Sequence, residues 1–216
     1  MAGDYSLYLV ADAEFASGRD LVPVIDAAIK GGVTIVQLRA KDFPFRAFTD
    51  LGRRVAAVLK KHRIPLLIND RVDVALACGA AGVHLGQEDM PTALARRALT
   101  KSSLIGISVN TPEEAQEAES QGADYVSAGP AYTTTTITTG LPVLGLEGIR
   151  RIKKAVRIPV VAIGGITDQN ARAAREAGAD GIAVVSAILG AADPEAAARR
   201  LKRSFGGSTP LGGIHE

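Results

Sequence analysis

The stretch Val160-Val161-Ala162-Ile163-Gly164-Gly165-Ile166-Thr167-Asp168 decides the fold. Its first four residues carry no polar face, as expected of a strand in a parallel sheet that helices cover on both sides. Gly164-Gly165 then breaks the run, and a helical pattern begins just beyond Asp168. A buried strand, a glycine turn and a helix make one βα unit.

The same unit recurs along the whole chain. Strands are expected at 6–11, 34–39, 65–69, 82–85, 104–108, 125–128, 159–163 and 181–186, eight in all. Amphipathic helical segments follow them at 21–30, 46–62, 72–78, 91–99, 112–120, 146–156, 169–177 and 194–205. Asp20, Thr111 and Asp193 stand where N-caps belong. In Thr111-Pro112-Glu113-Glu114 the cap, a first-turn proline and a Glu three residues on all agree. Gly32, Gly79, Gly122 and Gly178, which are 47, 43 and 56 residues apart, each close a helix ahead of the next strand. Glycine suits that place because it adopts the left-handed conformation at a helix C-terminus. Each interval holds two βα units, so the expectation is an α/β protein with a single-domain (β/α)8 TIM barrel over residues 1–205. A flexible tail over 206–216 should follow, being rich in Gly and Pro.

Composition excludes several classes of function. With 25 Lys+Arg against 23 Asp+Glu the formal charge is +2, and no long run of one sign gives a footprint for nucleic acid or a membrane surface. Small-molecule substrates are the expected partners, and a homo-oligomer is compatible with the sequence. The single cysteine, Cys78, rules out an internal disulfide framework and fits a reducing compartment. No basic n-region precedes Arg19, so a cytoplasmic location is expected. Tyr125–Leu146 holds 22 residues without a charge, about the length of a membrane span. Its six Thr, three Gly and two Pro mark it as a loop.

In such a barrel the site lies at the C-terminal ends of the strands. Alternation along Gln37-Leu38-Arg39-Ala40-Lys41 sets Gln37, Arg39 and Lys41 on one side, where two cations and an amide suit an anion. Strand three ends in Asn69-Asp70 and strand four leads to Asp89. Two carboxylates beside an Arg/Lys pair suit Mg²⁺ shared with a diphosphate. Either carboxylate could instead cap a helix, Asp70 before Arg71 and Asp89 before Met90-Pro91. His84, inside an apolar strand, reads as a satisfied core histidine. Gly164-Gly165, with Val185-Ser186 at the end of strand eight, matches the phosphate cup that loops seven and eight build in many barrels.

Taken together, Gln37–Lys41, Ile68-Asn69-Asp70, Val83–Asp89, Gly106-Ile107-Ser108, Ala123-Asp124-Tyr125 with Gly129-Pro130, Ala162–Ile166 and Ala179-Asp180-Gly181 resemble the thiamine phosphate synthase family, in order over residues 7–203. The resemblance implies a Mg²⁺-dependent transferase that joins a hydroxymethylpyrimidine diphosphate to a thiazole phosphate, giving thiamine phosphate and diphosphate. It implies a pyrimidine diphosphate site at Gln37, Leu38, Arg39, Ala40, Lys41, Asn69 and Ser108, with Arg39, Lys41 and Ser108 taking part in catalysis. Asp70 and Asp89 become the metal ligands. Thr134 and Thr136 match the threonines of the family's loop after strand six, and Gly165, Val185 and Ser186 match its thiazole phosphate cup. The implied mechanism is dissociative and uses no protein nucleophile.

One position departs from the family pattern. Where the family has Thr-x-Thr-Lys, this chain reads Thr134-Thr135-Thr136-Ile137, which implies a slower synthase or a non-catalytic binder of thiazole phosphate or thiamine phosphate. The related thiazole tautomerase family carries a histidine where this chain has Pro130 and lacks the Asn69-Asp70 pair, so the residues point away from it. For another phosphate-binding barrel enzyme the glycine cup alone would suffice.

Overall fold

The computed structural model describes residues 3–136, 140 and 142–206. Eight parallel strands close in sequential order into a barrel: β1 (Leu7–Asp12), β2 (Ile35–Arg39), β3 (Leu66–Asn69), β4 (Gly82–Leu85), β5 (Leu104–Val109), β6 (Tyr125–Ala128), β7 (Val160–Ile163) and β8 (Gly181–Val184). Helices cover the outside: α1 (Ala13–Ala16), α2 (Leu21–Lys30), α3 (Phe45–His62), α4 (Val72–Cys78), α5 (Thr92–Ala98), α6 (Pro112–Ser120), α7 (Gly145–Ala155), α8 (Ala171–Glu176), α9 (Ser186–Leu189) and α10 (Pro194–Gly206).

The local signals act as the sequence implies. Asp20, Thr111 and Asp193 accept backbone hydrogen bonds from Val22, Glu114 and Ala196 respectively. Glu114 reaches back to accept from the Asn110 N–H at 2.6 Å. Gly32, Gly79, Gly122 and Gly178 all have positive φ. β1 runs one residue further than expected, through Asp12, because that residue still pairs with Arg39 on β2. Its carboxylate caps α1 by accepting from Phe15 N at 2.8 Å, a turn too short for the sequence pattern to mark. α10 extends to Gly206, so the proposed tail loses its first residue to the helix. The rest of it, 207–216, lies outside the described residues.

Two glycines make closure possible. A Cβ on Gly82 would stand 1.9 Å from the Leu104 carbonyl oxygen, and one on Gly106 would stand 2.0 Å from the Tyr125 ring. The first lets β4 and β5 approach, and the second leaves the barrel interior to a tyrosine. No helix among the described residues is long and apolar enough to cross a membrane.

Candidate active site

The C-terminal ends of the strands surround a cavity of about 620 Å³. Gln37, Arg39, Lys41, Asn69, Asp70, Asp89 and Ser108 line one part of it; Thr134, Thr136, Gly165, Val185 and Ser186 line another. Leu38 and Ala40 are the exceptions. The pleat turns them to the other side of the β2 segment, where both are buried in the core, so a ligand could meet them only through their backbone.

On the β2–β4 side, Asp70 takes a left-handed backbone conformation, φ 61°, with its N–H held by the His84 carbonyl at 2.9 Å. Asp89 Oδ2 accepts from the Gly86 N–H at 2.6 Å. Neither caps a helix: the N-cap positions of α4 and α5 are Arg71 and Pro91, and neither helix has a side-chain cap. Burial, then the adjoining Asp89 carboxylate, push the Asp70 carboxyl up to about 6, with Lys41 and Arg39 opposing. The Lys41 ammonium lies 3.8 Å from it. A carboxyl group whose ionisation is opposed by burial and by an adjoining carboxylate fits a divalent cation, and a two-carboxylate set suits Mg²⁺ completed by phosphate oxygens and water. No group of three or more His, Cys, Asp or Glu able to cage a metal occurs among the described residues.

Arg39 is less free than its sequence position implies. Its Nη1 donates to Asp12 Oδ2 and, at 3.5 Å, to Glu14 Oε2. The remaining guanidinium N–H groups meet no acceptor among the described residues, so part of the donor fork stays open to the cavity. Asp12 and Glu14 escaped the sequence reading. The signal was present, since Asp12 is the first acid after the first apolar run, as Asp70 is after the third.

Below the charged rim lies a neutral floor. Gln37 Nε2 donates to the Tyr8 hydroxyl at 2.8 Å, which bonds the Tyr125 hydroxyl at 2.8 Å. The Tyr125 hydroxyl meets His84 Nδ1 at 2.8 Å, and His84 Nε2 meets Ser108 Oγ at 3.0 Å. The chain joins residues of β2, β1, β6, β4 and β5 through the barrel centre. Burial lowers His84 to about 4 and lifts Tyr8 and Tyr125 far above ordinary phenols, so all three are uncharged at neutral pH. His84 is therefore the satisfied interior histidine its surroundings in the sequence imply.

At the β7–β8 end, Gly164 and Gly165 have φ of 95° and 64°. A Cβ on Gly165 would stand 2.7 Å from the Thr133 carbonyl oxygen. The segment after β6 folds onto this turn through Ala131 N to Ile163 O at 2.7 Å and Tyr132 N to Gly164 O at 3.0 Å. Thr136 Oγ1 then donates to Ser186 Oγ at 3.0 Å. The backbone N–H groups of Gly165 and Ser186 find no acceptor among the described residues. Ile137, the departure from the family pattern, lies outside them.

A rim that sets Arg39 and Lys41 beside two carboxylates, with a neutral floor and a glycine cup, can hold two anionic groups apart and bring the bodies they carry together. Residues 7–188 match the family model described as thiamine monophosphate synthase. The chain is 46% identical over 200 residues to a thiamine-phosphate synthase of Syntrophomonas wolfei, covering 93% of this chain and 96% of the relative. It is 51% identical over 197 residues to that of Albidiferax ferrireducens, covering 91% and 90%. A thiamine phosphate pyrophosphorylase from Pyrococcus furiosus superposes with a TM-score of 0.86 at 40% identity, over 95% of this chain and 97% of that one.

Proposed function

The chain belongs to the thiamine monophosphate synthase family, and from that premise we propose that it is a transferase joining a hydroxymethylpyrimidine diphosphate to a thiazole phosphate, with release of diphosphate. The observation that carries this reading is the sharing of one cavity by the Arg39/Lys41/Asp70/Asp89 rim and the Gly165/Ser186 cup. The rim suits a diphosphate and the cup a phosphate monoester, so each substrate is pinned by its own anion. Two bound bodies held a few ångströms apart react as one molecule, which is worth roughly 7 to 11 kcal/mol when the alignment is good.

In the proposed reaction the bond from the pyrimidine's methylene carbon to the diphosphate oxygen breaks, and its electron pair leaves with the diphosphate. The thiazole nitrogen then gives its lone pair to that carbon. Lys41 and the open N–H groups of Arg39 donate to the leaving oxygens. Ser108 and Asn69 orient the pyrimidine half, and the neutral His84 keeps the Ser108 hydroxyl in place. Thr134 and Thr136 lie over the thiazole half, Thr136 already engaging Ser186. Asp70 and Asp89 would hold Mg²⁺, which when bound offsets the charge gathering on the departing diphosphate. No residue need act as a nucleophile, and charge stabilisation with positioning supplies the catalysis.

The lone, buried Cys78 supports work in the cytoplasm. The test is direct: purified protein with both phosphorylated precursors and Mg²⁺ should form thiamine phosphate. Folded protein giving no product above a no-enzyme control would refute the synthase reading.

A further inference from the structure

Ser127 holds one of the two buried side-chain polar atoms that lack a hydrogen-bond partner among the described residues; the other is Thr49 Oγ1 on α3. Only Ser127 lines the cavity. It sits on β6 two residues beyond Tyr125, so the pleat turns it to the same interior side, one layer nearer the mouth. It is 3% exposed and pairs in register with Ser108 on β5 and Val161 on β7. The hydroxyls around it are spoken for: Tyr8 and Tyr125 bond each other, and Ser108 is engaged by His84. A buried hydroxyl left without a partner is costly and calls for a ligand, a water or a strain to account for it.

We propose that Ser127 is a substrate-contacting, specificity-determining residue whose hydroxyl hydrogen-bonds a nitrogen on the edge of the pyrimidine ring. The inference rests on the two-substrate reading above. The choice between the two rings follows from their chemistry. The thiazole nitrogen must keep its lone pair for the attack, so a hydroxyl donor placed on it would oppose the reaction. A pyrimidine offers two ring nitrogens that accept a hydrogen bond, and a serine hydroxyl can donate to either. The floor at this depth is neutral, which suits an uncharged ring better than either anion. Ser127 also lies beside Ser108, its register partner on β5.

The experiment is calorimetric titration of pyrimidine diphosphate with Mg²⁺, without the thiazole partner, into wild type and Ser127→Ala, alongside thermal unfolding of both free proteins. The variant should bind roughly ten-fold more weakly, as for loss of one hydrogen bond to a ligand. Its KM for thiazole phosphate should stay within two-fold of wild type, and its free form should melt no lower. Binding within two-fold of wild type overturns the inference. So does a variant that melts lower with unchanged binding, because the hydroxyl would then be satisfied by water in the free protein. Failure of wild type to bind the pyrimidine diphosphate would refute the functional reading beneath it, a result distinct from two proteins that bind equally well.

Discussion

Single side chains set the chemistry, and substitutions at four of them make separate predictions. Asp70→Asn and Asp89→Asn should each lower the turnover of thiamine phosphate about 100-fold and raise the Mg²⁺ concentration needed for half-activity. Unchanged turnover with an unchanged Mg²⁺ response would remove them from the metal site. Ile137→Lys restores the charge that the family pattern places over the diphosphate. A hydrogen bond to a charged group contributes roughly 1.5 to 3 kcal/mol, so the rate should rise about 10- to 100-fold in single-turnover measurements. In the floor, Tyr125 joins Tyr8 to His84. Tyr125→Phe removes one hydrogen bond from each, leaving Tyr8 only Gln37 and His84 only Ser108, and should cost about 1 to 3 kcal/mol in urea unfolding; an unchanged midpoint would mean the chain carries no stability.

At the scale of the element, backbone and packing decide, and glycines test them. On β5, Gly106 faces the Tyr125 ring at a distance no side chain tolerates. Gly106→Ala should destabilise the barrel by about 1 to 3 kcal/mol, and Gly106→Ala combined with Tyr125→Leu should recover part of that loss. The eight strands and the long helices are legible in the sequence because each carries its own period, cap or closing glycine. Thr111-Pro112-Glu113-Glu114 is the clearest case. α1 is not legible, since four residues are too few to show a helical period. Gln37, Arg39 and Lys41 share a face by simple alternation. Their true neighbours, Asp12 and Glu14 for Arg39 and Tyr8 for Gln37, come from β1 and the turn after it. Only the pairing of strands 27 or more residues apart brings these together, and local pattern contains no register. For the same reason Ser127 reads in sequence as one more small residue in an uncharged stretch.

Across the whole molecule, the buried His84 and the half-buried Asp70 pull stability in opposite directions with pH. His84 is depressed to about 4 from 6.5, so its contribution is present above pH 6.5 and is lost as pH falls through 4. For a shift of this size the loss is up to about 3 kcal/mol. Asp70, raised to about 6 from 3.8, contributes stability that is fully present below 3.8 and is lost as pH rises through 6. Between pH 4 and 6 the metal-free protein should therefore show a flattened profile. Asp70→Asn should expose the acid-side loss caused by His84, read as a steeper fall in melting temperature below pH 6; parallel profiles would deny the opposition. The tyrosine-plugged barrel centre has a different consequence. With Tyr8 and Tyr125 closing the interior beneath Gln37 and His84, the cavity is a vessel with one mouth. On the function proposed above, the pyrimidine body is the deeper one and should enter before the thiazole one, an order that initial-rate and product-inhibition kinetics would reveal. Binding order would then be a property of barrel topology, set by two phenols at the closed end of the cavity.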